Sequence, residues 1–117
     1  MKIVILHNSD ALEPPVDPII EQLSGALRSL DHETETVVVD GEIDELVVAL
    51  RRQAPDLVFN ITESFRGKSA LDSNLAALLN LLDYRYTGSS PAGLFLAGDK
   101  SLTKKVLRFH SIQTPEF

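Results

Sequence analysis

The sequence predicts an α/β fold in which a parallel sheet is covered by helices on both faces. Short apolar runs rich in branched side chains, such as 2–6 and 57–61, are typical of strands that are buried on both sides. Apolar residues at steps of three and four lie between these runs and predict amphipathic helices. Because strands and helices alternate along the chain, we expect a three-layer, Rossmann-like arrangement.

The first half of the chain contains three predicted strands and two predicted helices. Its first loop holds three prolines, and Pro55 ends the second helix because proline lacks the N–H that a helix needs. The predicted elements are, in order, a strand at 2–6, a loop at 7–18, a helix beginning at Asp17, a strand at 33–39, a helix over 43–50 and a strand at 57–61.

The second half contains three predicted helices around one short strand. Ser69 and Asp72 have the spacing of a capping box. Ser90-Pro91 is typical of a helix start, and Asp99 can cap the last helix. The predicted elements are a polar loop at 62–69, a helix over 71–82, a strand at 84–87, a helix over 91–97, a helix from Asp99 and an extended end at Thr114-Pro115.

Composition and charge argue against several classes of protein. The 117 residues suit one domain, and the absence of cysteine excludes a disulfide framework and a cysteine nucleophile. The net charge of -6 and the lack of a long basic run argue against nucleic-acid binding. No apolar run approaches the ~20 residues of a membrane span, and the N-terminus lacks a signal-peptide pattern. We therefore expect a cytoplasmic protein that binds neither nucleic acid nor membranes.

Polar residues follow three of the predicted strands, at the edge where parallel sheets bind ligands. They are His7-Asn8-Ser9, the segment 60–64 and Thr87-Gly88-Ser89. A polar cluster after a buried strand can direct amide, hydroxyl and carboxylate groups into a crevice. An equally strong alternative is that Asn60 and Thr62 only satisfy backbone groups of their own loop.

A basic stripe lies on the last predicted helix. Lys100, Lys104 and Arg108 are spaced by four and share one helix face. Lys100 falls in the first turn, where a cation opposes the helix dipole at a cost of about 0.3–1 kcal/mol. A phosphate at this position would explain such a lysine, whereas an ordinary solvated basic face explains the spacing equally well.

Several common motifs are absent from the sequence. There is no G-x-G-x-x-G after the first strand and no G-x-x-x-x-G-K-[ST], which argues against classical dinucleotide and P-loop sites. The histidines His7, His32 and His110 are too scattered to predict a metal site. Glu13 and Asp17 in the first loop are able to meet an amine, although loop acids are usually only solvated.

Three pieces of the second half, Val58 to Phe117, occur in a specific order and spacing. The first is Val58-Phe59-Asn60, followed by a glycine-containing loop and a leucine-rich helix. The second is Tyr86-Thr87-Gly88-Ser89. The third consists of Asp99-Lys100 with Thr103-Lys104, a helix and then Thr114-Pro115. Together these pieces resemble the D-alanine–D-alanine ligase family.

The resemblance implies the N-terminal, pre-ATP-grasp domain of a ligase that uses ATP and magnesium and serves peptidoglycan biosynthesis. Such enzymes form an acyl-phosphate that an amino group attacks, and their N-terminal domain helps to hold the first amino acid. Residues 1–113 would form this domain, and 114–117 would begin the connection to the ATP-binding domain. This piece alone is expected to be inactive and to bind neither ATP nor magnesium tightly.

The resemblance also implies candidate site residues. Lys100 matches the lysine that reaches an ATP phosphate. Asn60, Glu63 and Ser64 are the candidates on the amino-acid side, in a loop where the family commonly has histidine and glycine. Glu13 is nearest to the family's glutamate that orients the ammonium group of the first D-alanine. No metal ligand is assigned within this chain.

Two alternatives without chemistry are compatible with the same sequence. In one, the chain is a free-standing α/β binding or interaction module that uses apolar residues of the last helix, such as Leu107 or Phe109. In the other, it is a sensor that binds a small ligand at the strand ends. Under the ligase interpretation, the expected partners are an amino acid and ATP, and a homodimer is compatible with the family.

Overall fold

Three parallel strands form the centre of the protein, and the strand that begins the chain lies in the middle. The computed structural model describes residues 1–8, 17–39 and 41–116. The strands are β1 (Lys2–Asn8), β2 (Glu33–Val39) and β3 (Leu57–Asn60). Their order in the sheet is β2-β1-β3, and both pairings are parallel, with Lys2 opposite Glu33 and Ile3 opposite Leu57.

Five α-helices and one short 3-10 turn surround the sheet in the described part of the chain. None of these described helices is both long and apolar enough to cross a membrane. The helices are α1 (Pro18–Ser29), α2 (Ile43–Gln53), α3 (Asp72–Leu81), α4 (Pro91–Gly98) and α5 (Lys100–Phe109), and the turn Ser69–Leu71 precedes α3.

The connections place α1 and α2 on opposite faces of the sheet. The crossover through α1 leads from β1 to β2 on one side of it. The crossover through α2 leads from β2 back past β1 to β3 on the other side. Because such crossovers are right-handed, the reversal of direction puts the second helix on the other face. The predicted three-layer α/β class is therefore confirmed.

Branched side chains of the sheet fill the core on both faces. Successive residues of a strand point to opposite faces, so Val4 and Leu6 share one face while Ile3 and Ile5 share the other. All four are at most 2% exposed. This burial explains why residues 3–6 of the strand are all apolar instead of alternating with polar residues. The face of Val4 and Leu6 packs in one cluster with residues of α2 and α3, namely Leu46, Leu50, Leu75 and Leu79.

Three helices begin directly after residues at which the sequence predicts a helix start, and each of these residues caps its helix. Asp17 Oδ1 accepts the backbone N–H of Ile19 at 3.0 Å at the start of α1. Ser90 caps α4 through its hydroxyl oxygen, and Asp99 Oδ1 accepts the N–H of Leu102 at 2.9 Å at the start of α5. These bonds satisfy backbone donors that have no partner within the helix.

The predicted strand at 84–87 is wrong, because this segment forms only one bridge to β3. Val58 N–H donates to the Arg85 carbonyl at 2.8 Å, and Thr87 N–H donates to the Val58 carbonyl at 3.0 Å. The next donor, Asn60 N–H, is taken by the hydroxyl oxygen of Thr87 at 3.1 Å instead of by a backbone carbonyl. The Thr87 side chain therefore ends the ladder after one bridge.

The capping box predicted for Ser69 and Asp72 is also wrong. Ser69 lies inside the 3-10 turn, and Lys68, which precedes that turn, makes no side-chain cap. Asp72 Oδ1 instead accepts the N–H of its neighbour Ser73. The tight turn moves the start of α3 to Asp72, so Ser69 no longer flanks the helix in the position that a reciprocal cap requires.

Replacing Gly41 by alanine is expected to lower the free energy of unfolding by about 1–3 kcal/mol. Gly41 has a φ of +110°, and an added Cβ would lie 3.1 Å from Cγ of Arg66. Gly25 is the matched control, because it lies inside α1 with nothing within 4 Å of an added Cβ. Gly25→Ala should stabilise the protein by about 0.5–1 kcal/mol. Urea denaturation measures both, and equal effects would contradict the strained position of Gly41.

Candidate functional site

A crevice opens at the carboxyl ends of β1 and β3, where a parallel sheet is expected to bind ligands. It has a volume of about 300 Å³. Three pieces of the chain meet there, namely the end of β1, the start of α1 and the segment after β3. The described residues that line it are His7, Asn8, Asp17, Ile19, Ile20, Ile61 and Glu63.

Hydrogen bonds define the path of the segment that follows β3. Ile61 N–H donates to the Leu6 carbonyl at 2.9 Å, so the pairing with β1 continues one residue beyond the strand. Asn60 Oδ1 accepts both the N–H of Thr62 at 3.2 Å and its hydroxyl at 2.7 Å. This turn, closed by an asparagine side chain, ends the extended segment and leads Glu63 into the wall of the crevice.

The side chain of Asn8 joins the end of β1 to the same segment. Its Nδ2 donates to the Ser64 carbonyl at 2.8 Å, and its Oδ1 accepts the N–H of Glu63 at 2.9 Å. Both ends of the amide are therefore used. The backbone of Glu63 is held beside the crevice, although the residue itself is exposed.

The crevice presents hydrogen-bond acceptors and negative charge. Asp17 and Glu63 contribute carboxylates, and the described residues of the lining include no lysine or arginine. His7 Nδ1 lies 2.9 Å from the Asn8 carbonyl oxygen, which can only accept. Nδ1 therefore carries the proton, and Nε2 of a neutral ring is an acceptor. Such a site suits the ammonium group of an amino acid, and the isoleucines of the lining offer an apolar wall.

The structure places the predicted amino-acid side and the predicted phosphate side in different cavities. Glu63 lines the crevice, whereas Lys100 lines a smaller cleft of about 250 Å³ formed by α4, α5 and the segment after α5. Lys100 is exposed in the first turn of α5. Lys104 lines the same cleft, and its Nζ lies 3.4 Å from the Glu116 carbonyl oxygen. Two lysines in one cleft suit an anionic group.

The other predicted site residues shape the loop or lie outside the described residues. Asn60 and Ser64 are not part of the crevice lining. Asn60 closes the turn after β3, and Ser64 offers its backbone carbonyl to Asn8. Glu13 lies outside the residues that the structure describes. Over the described ranges, no three histidine, aspartate or glutamate side chains come together in a way that could hold a metal ion.

The link made by Asn8 was not predicted from the sequence, whereas Asp17 was predicted to be a loop acid that could meet an amine. The contacts of Asn8 join residues 55 and 56 positions apart, and a single sequence carries no signal for so distant a pair. Asp17 had a usable signal, because the residue that caps the first helix lies at the same edge of the sheet as the end of β1.

Two larger grooves lie away from the crevice. One of about 580 Å³ runs between the edge strand β2 and α2. The other, of about 400 Å³, lies between α2 and α3 and is lined mainly by apolar side chains. Both grooves are larger than the crevice, but neither is lined by residues from the carboxyl ends of two neighbouring strands. The crevice combines converging strand ends with charged groups and is therefore the better candidate for a small polar ligand.

Comparison with known proteins finds several relatives that are named D-alanine–D-alanine ligases. No protein-family model matches the chain. The D-alanine–D-alanine ligase of Moorella thermoacetica is 33% identical over 118 residues, which cover 100% of this chain and 36% of that enzyme. The D-alanine–D-alanine ligase of Aquifex aeolicus is 28% identical over 118 residues, which cover 100% of this chain and 38% of that enzyme.

A solved structure has the same fold. The crystal structure of D-alanine–D-alanine ligase from Bacillus anthracis matches with a TM-score of 0.75 and 22% identity, over 99% of this chain and 36% of that one. The chain thus spans little more than a third of the length of the relatives that it matches. It is related to the D-alanine–D-alanine ligases and corresponds to their N-terminal region.

Proposed function

We propose that the chain is the N-terminal domain of an ATP-dependent carboxylate–amine ligase that resembles D-alanine–D-alanine ligase. Similarity to such ligases along the whole chain supports this function, and an acidic crevice at the strand ends supplies a site for it. Residues 1–113 form the substrate-binding domain in this proposal, and 114–117 begin the connection to an ATP-binding domain. The domain by itself does not turn over substrate.

The crevice holds the first amino acid through its ammonium group. The carboxylates of Asp17 and Glu63 stabilise this charge, because hydrogen bonds between charged groups are roughly twice as strong as neutral ones. The isoleucines of the lining accommodate a small alkyl group, such as the methyl group of D-alanine. Glu13 is a further candidate for the same ammonium group. Asn60 and Ser64 support this side through the hydrogen bonds of their loop.

Lys100 contacts a phosphate of ATP in this proposal. It stands in the first turn of α5 beside Lys104, and the two cations fit the charge of a polyphosphate. ATP is a substrate of the reaction and supplies the phosphoryl group of the acyl-phosphate that the second amino group attacks. The magnesium ligands are expected in the ATP-binding domain, as the family resemblance implies.

The ligase that contains this domain is expected to release ADP only when D-alanine is present. Lys100→Ala should raise the KM for ATP or lower kcat by about tenfold or more, because a positioned cation stabilises the transferred phosphoryl group. Lys105→Ala is the matched control, since Lys105 lies on the same helix but outside the cleft. Unchanged kinetics for Lys100→Ala would remove this residue from the site.

The same proposal places the enzyme in the cytoplasm and in peptidoglycan biosynthesis. Its small-molecule partners are an amino acid and ATP, and neither nucleic acid nor a membrane takes part in the reaction. A homodimer is the oligomer that we expect from the family resemblance, and sedimentation of the purified enzyme would measure it.

A second candidate function is a free-standing α/β interaction module without catalysis. Phe95 and Phe109 favour it, because they are 64% and 84% exposed on two helices that contact each other. Exposed rings on two helices that contact each other are able to contribute to a contact surface for a partner. The intact mass of the protein from its native source separates the two functions. A mass near 12.9 kDa supports the module, and a much larger mass supports the ligase.

A further inference from the structure

We infer that Asn8 is a positioning residue of the amino-acid site, an inference that rests on the proposed function of the crevice. Asn8 is the last residue of the central strand β1 and is half-buried. Glu63, in contrast, is exposed and lies in an irregular segment. A carboxylate in such a segment needs an anchor to the sheet if it is to meet a ligand at a defined place.

Two turns flank the segment that carries Glu63. The first is the turn in which Asn60 Oδ1 accepts two hydrogen bonds from Thr62. The second is a hairpin turn in which Phe65 N–H donates to the Lys68 carbonyl at 3.2 Å, and Lys68 N–H donates back to the Phe65 carbonyl at 2.9 Å. The hydrogen bonds of each turn are internal, so they do not attach the segment between the turns to the sheet.

Arg66 ties the second turn to the start of α2. Its Nε donates to the Gly41 carbonyl, and its guanidinium nitrogen lies 3.4 Å from the Glu42 carboxylate. This anchor lies beyond Ser64 and on the β2 side of β1, whereas the crevice lies between β1 and the segment after β3. It therefore fixes the position of the second turn but does not fix the backbone of Glu63.

Asn8 supplies the missing attachment between the two turns. Among the described hydrogen bonds, those that reach residues 63 and 64 come from its side chain. The Asn8 amide accepts from the Glu63 N–H and donates to the Ser64 carbonyl. It therefore holds the peptide group before Glu63 and the peptide group after Ser64. The amide of asparagine makes both bonds, whereas an aspartate carboxylate accepts without donating and alanine does neither.

Amide hydrogen exchange followed by NMR on the whole chain tests this role. Asn8→Ala is expected to speed exchange of the Glu63 amide by about tenfold and to raise the dissociation constant for D-alanine by about threefold or more. The Ile61 amide, which is bonded to the β1 backbone, should exchange at an unchanged rate and is the internal reference. Asn80→Ala removes an exposed asparagine of α3 and should change neither quantity.

Asn8→Asp distinguishes the loss of the bond that positions Glu63 from a general loosening of the segment after β3. It keeps an acceptor for the Glu63 N–H and loses the donor to Ser64, so exchange at Glu63 should stay close to that of the unaltered chain. An unchanged exchange rate of the Glu63 amide in Asn8→Ala would overturn the inference. A faster exchange rate with an unchanged dissociation constant for D-alanine would overturn it as well. If the unaltered chain binds no D-alanine, the proposed function fails, while the exchange rates still decide whether Asn8 holds Glu63.

Discussion

Leu79→Ala is expected to lower the free energy of unfolding by about 2–5 kcal/mol, the usual cost of truncating a buried leucine. Leu79 is 0% exposed and belongs to the cluster through which α3 packs on the sheet. The truncation leaves a cavity, because close-packed neighbours relax only in part. A loss of this size is a large share of the roughly 5–15 kcal/mol that separates an ordinary folded domain from its unfolded chain.

Leu81→Ala in the same helix is the control for this substitution. Leu81 is 84% exposed, so its truncation should change the free energy of unfolding by at most about 0.5 kcal/mol. Urea titration followed by circular dichroism measures both variants. Equal losses for the two leucines would mean that α3 presents a different face to the sheet.

Glu63→Gln is expected to weaken D-alanine binding by about tenfold, which corresponds to about 1.4 kcal/mol. The substitution nearly preserves the size of the side chain and removes its charge, so it isolates the electrostatic contribution. The effect should stay below that of a fully buried ion pair, because Glu63 is exposed and water screens the interaction. NMR titration of the amide signals measures the affinity.

Glu35→Gln is the matched control, since Glu35 is an exposed residue of β2 outside the crevice lining. It removes the same charge from the protein and should leave the affinity for D-alanine unchanged. A similar loss in both variants would show that overall charge, and not the crevice, attracts the ligand. Full affinity in Glu63→Gln would contradict the role of this carboxylate.

Much of the fold was predictable because its signals are local in the sequence. The run at 2–6 contains only apolar side chains after its first residue, and burial on both faces accounts for that composition. Asp17, Ser90 and Asp99 each cap the helix that follows them within three residues. A contact of such short range is visible in one sequence without knowledge of the rest of the fold.

Features that depend on distant partners were not predictable in the same way. The segment 84–87 has the composition of a strand, but the hydroxyl of Thr87 takes the N–H of Asn60 and stops the ladder. The link from Asn8 to the segment after β3 likewise depends on how two strand ends meet. Periodicity and propensity describe neighbours along the chain, so they do not reveal side chains that meet only after folding.

The location of the candidate site was easier to predict from the sequence than the residues that line it. The rule that ligands bind at the carboxyl ends of parallel strands indicates the edge of the sheet at which the crevice lies. The same rule does not say which polar residue lines a cavity and which closes a turn. Glu63 and Asn60 are three residues apart, yet the first lines the crevice and the second bonds within its own loop.

NMR titration of the chain with D-alanine, in parallel with propionate, tests most directly whether the crevice recognises an ammonium group. Propionate has the same carbon skeleton and carboxylate but no ammonium group. We expect D-alanine to shift the amide signals of His7, Ile61 and Glu63 with a dissociation constant in the millimolar range, because the proposed function assigns most substrate contacts to the remainder of a longer ligase. Propionate should leave these signals unchanged. Equal shifts with both compounds, or none with D-alanine, would contradict an ammonium site in this crevice.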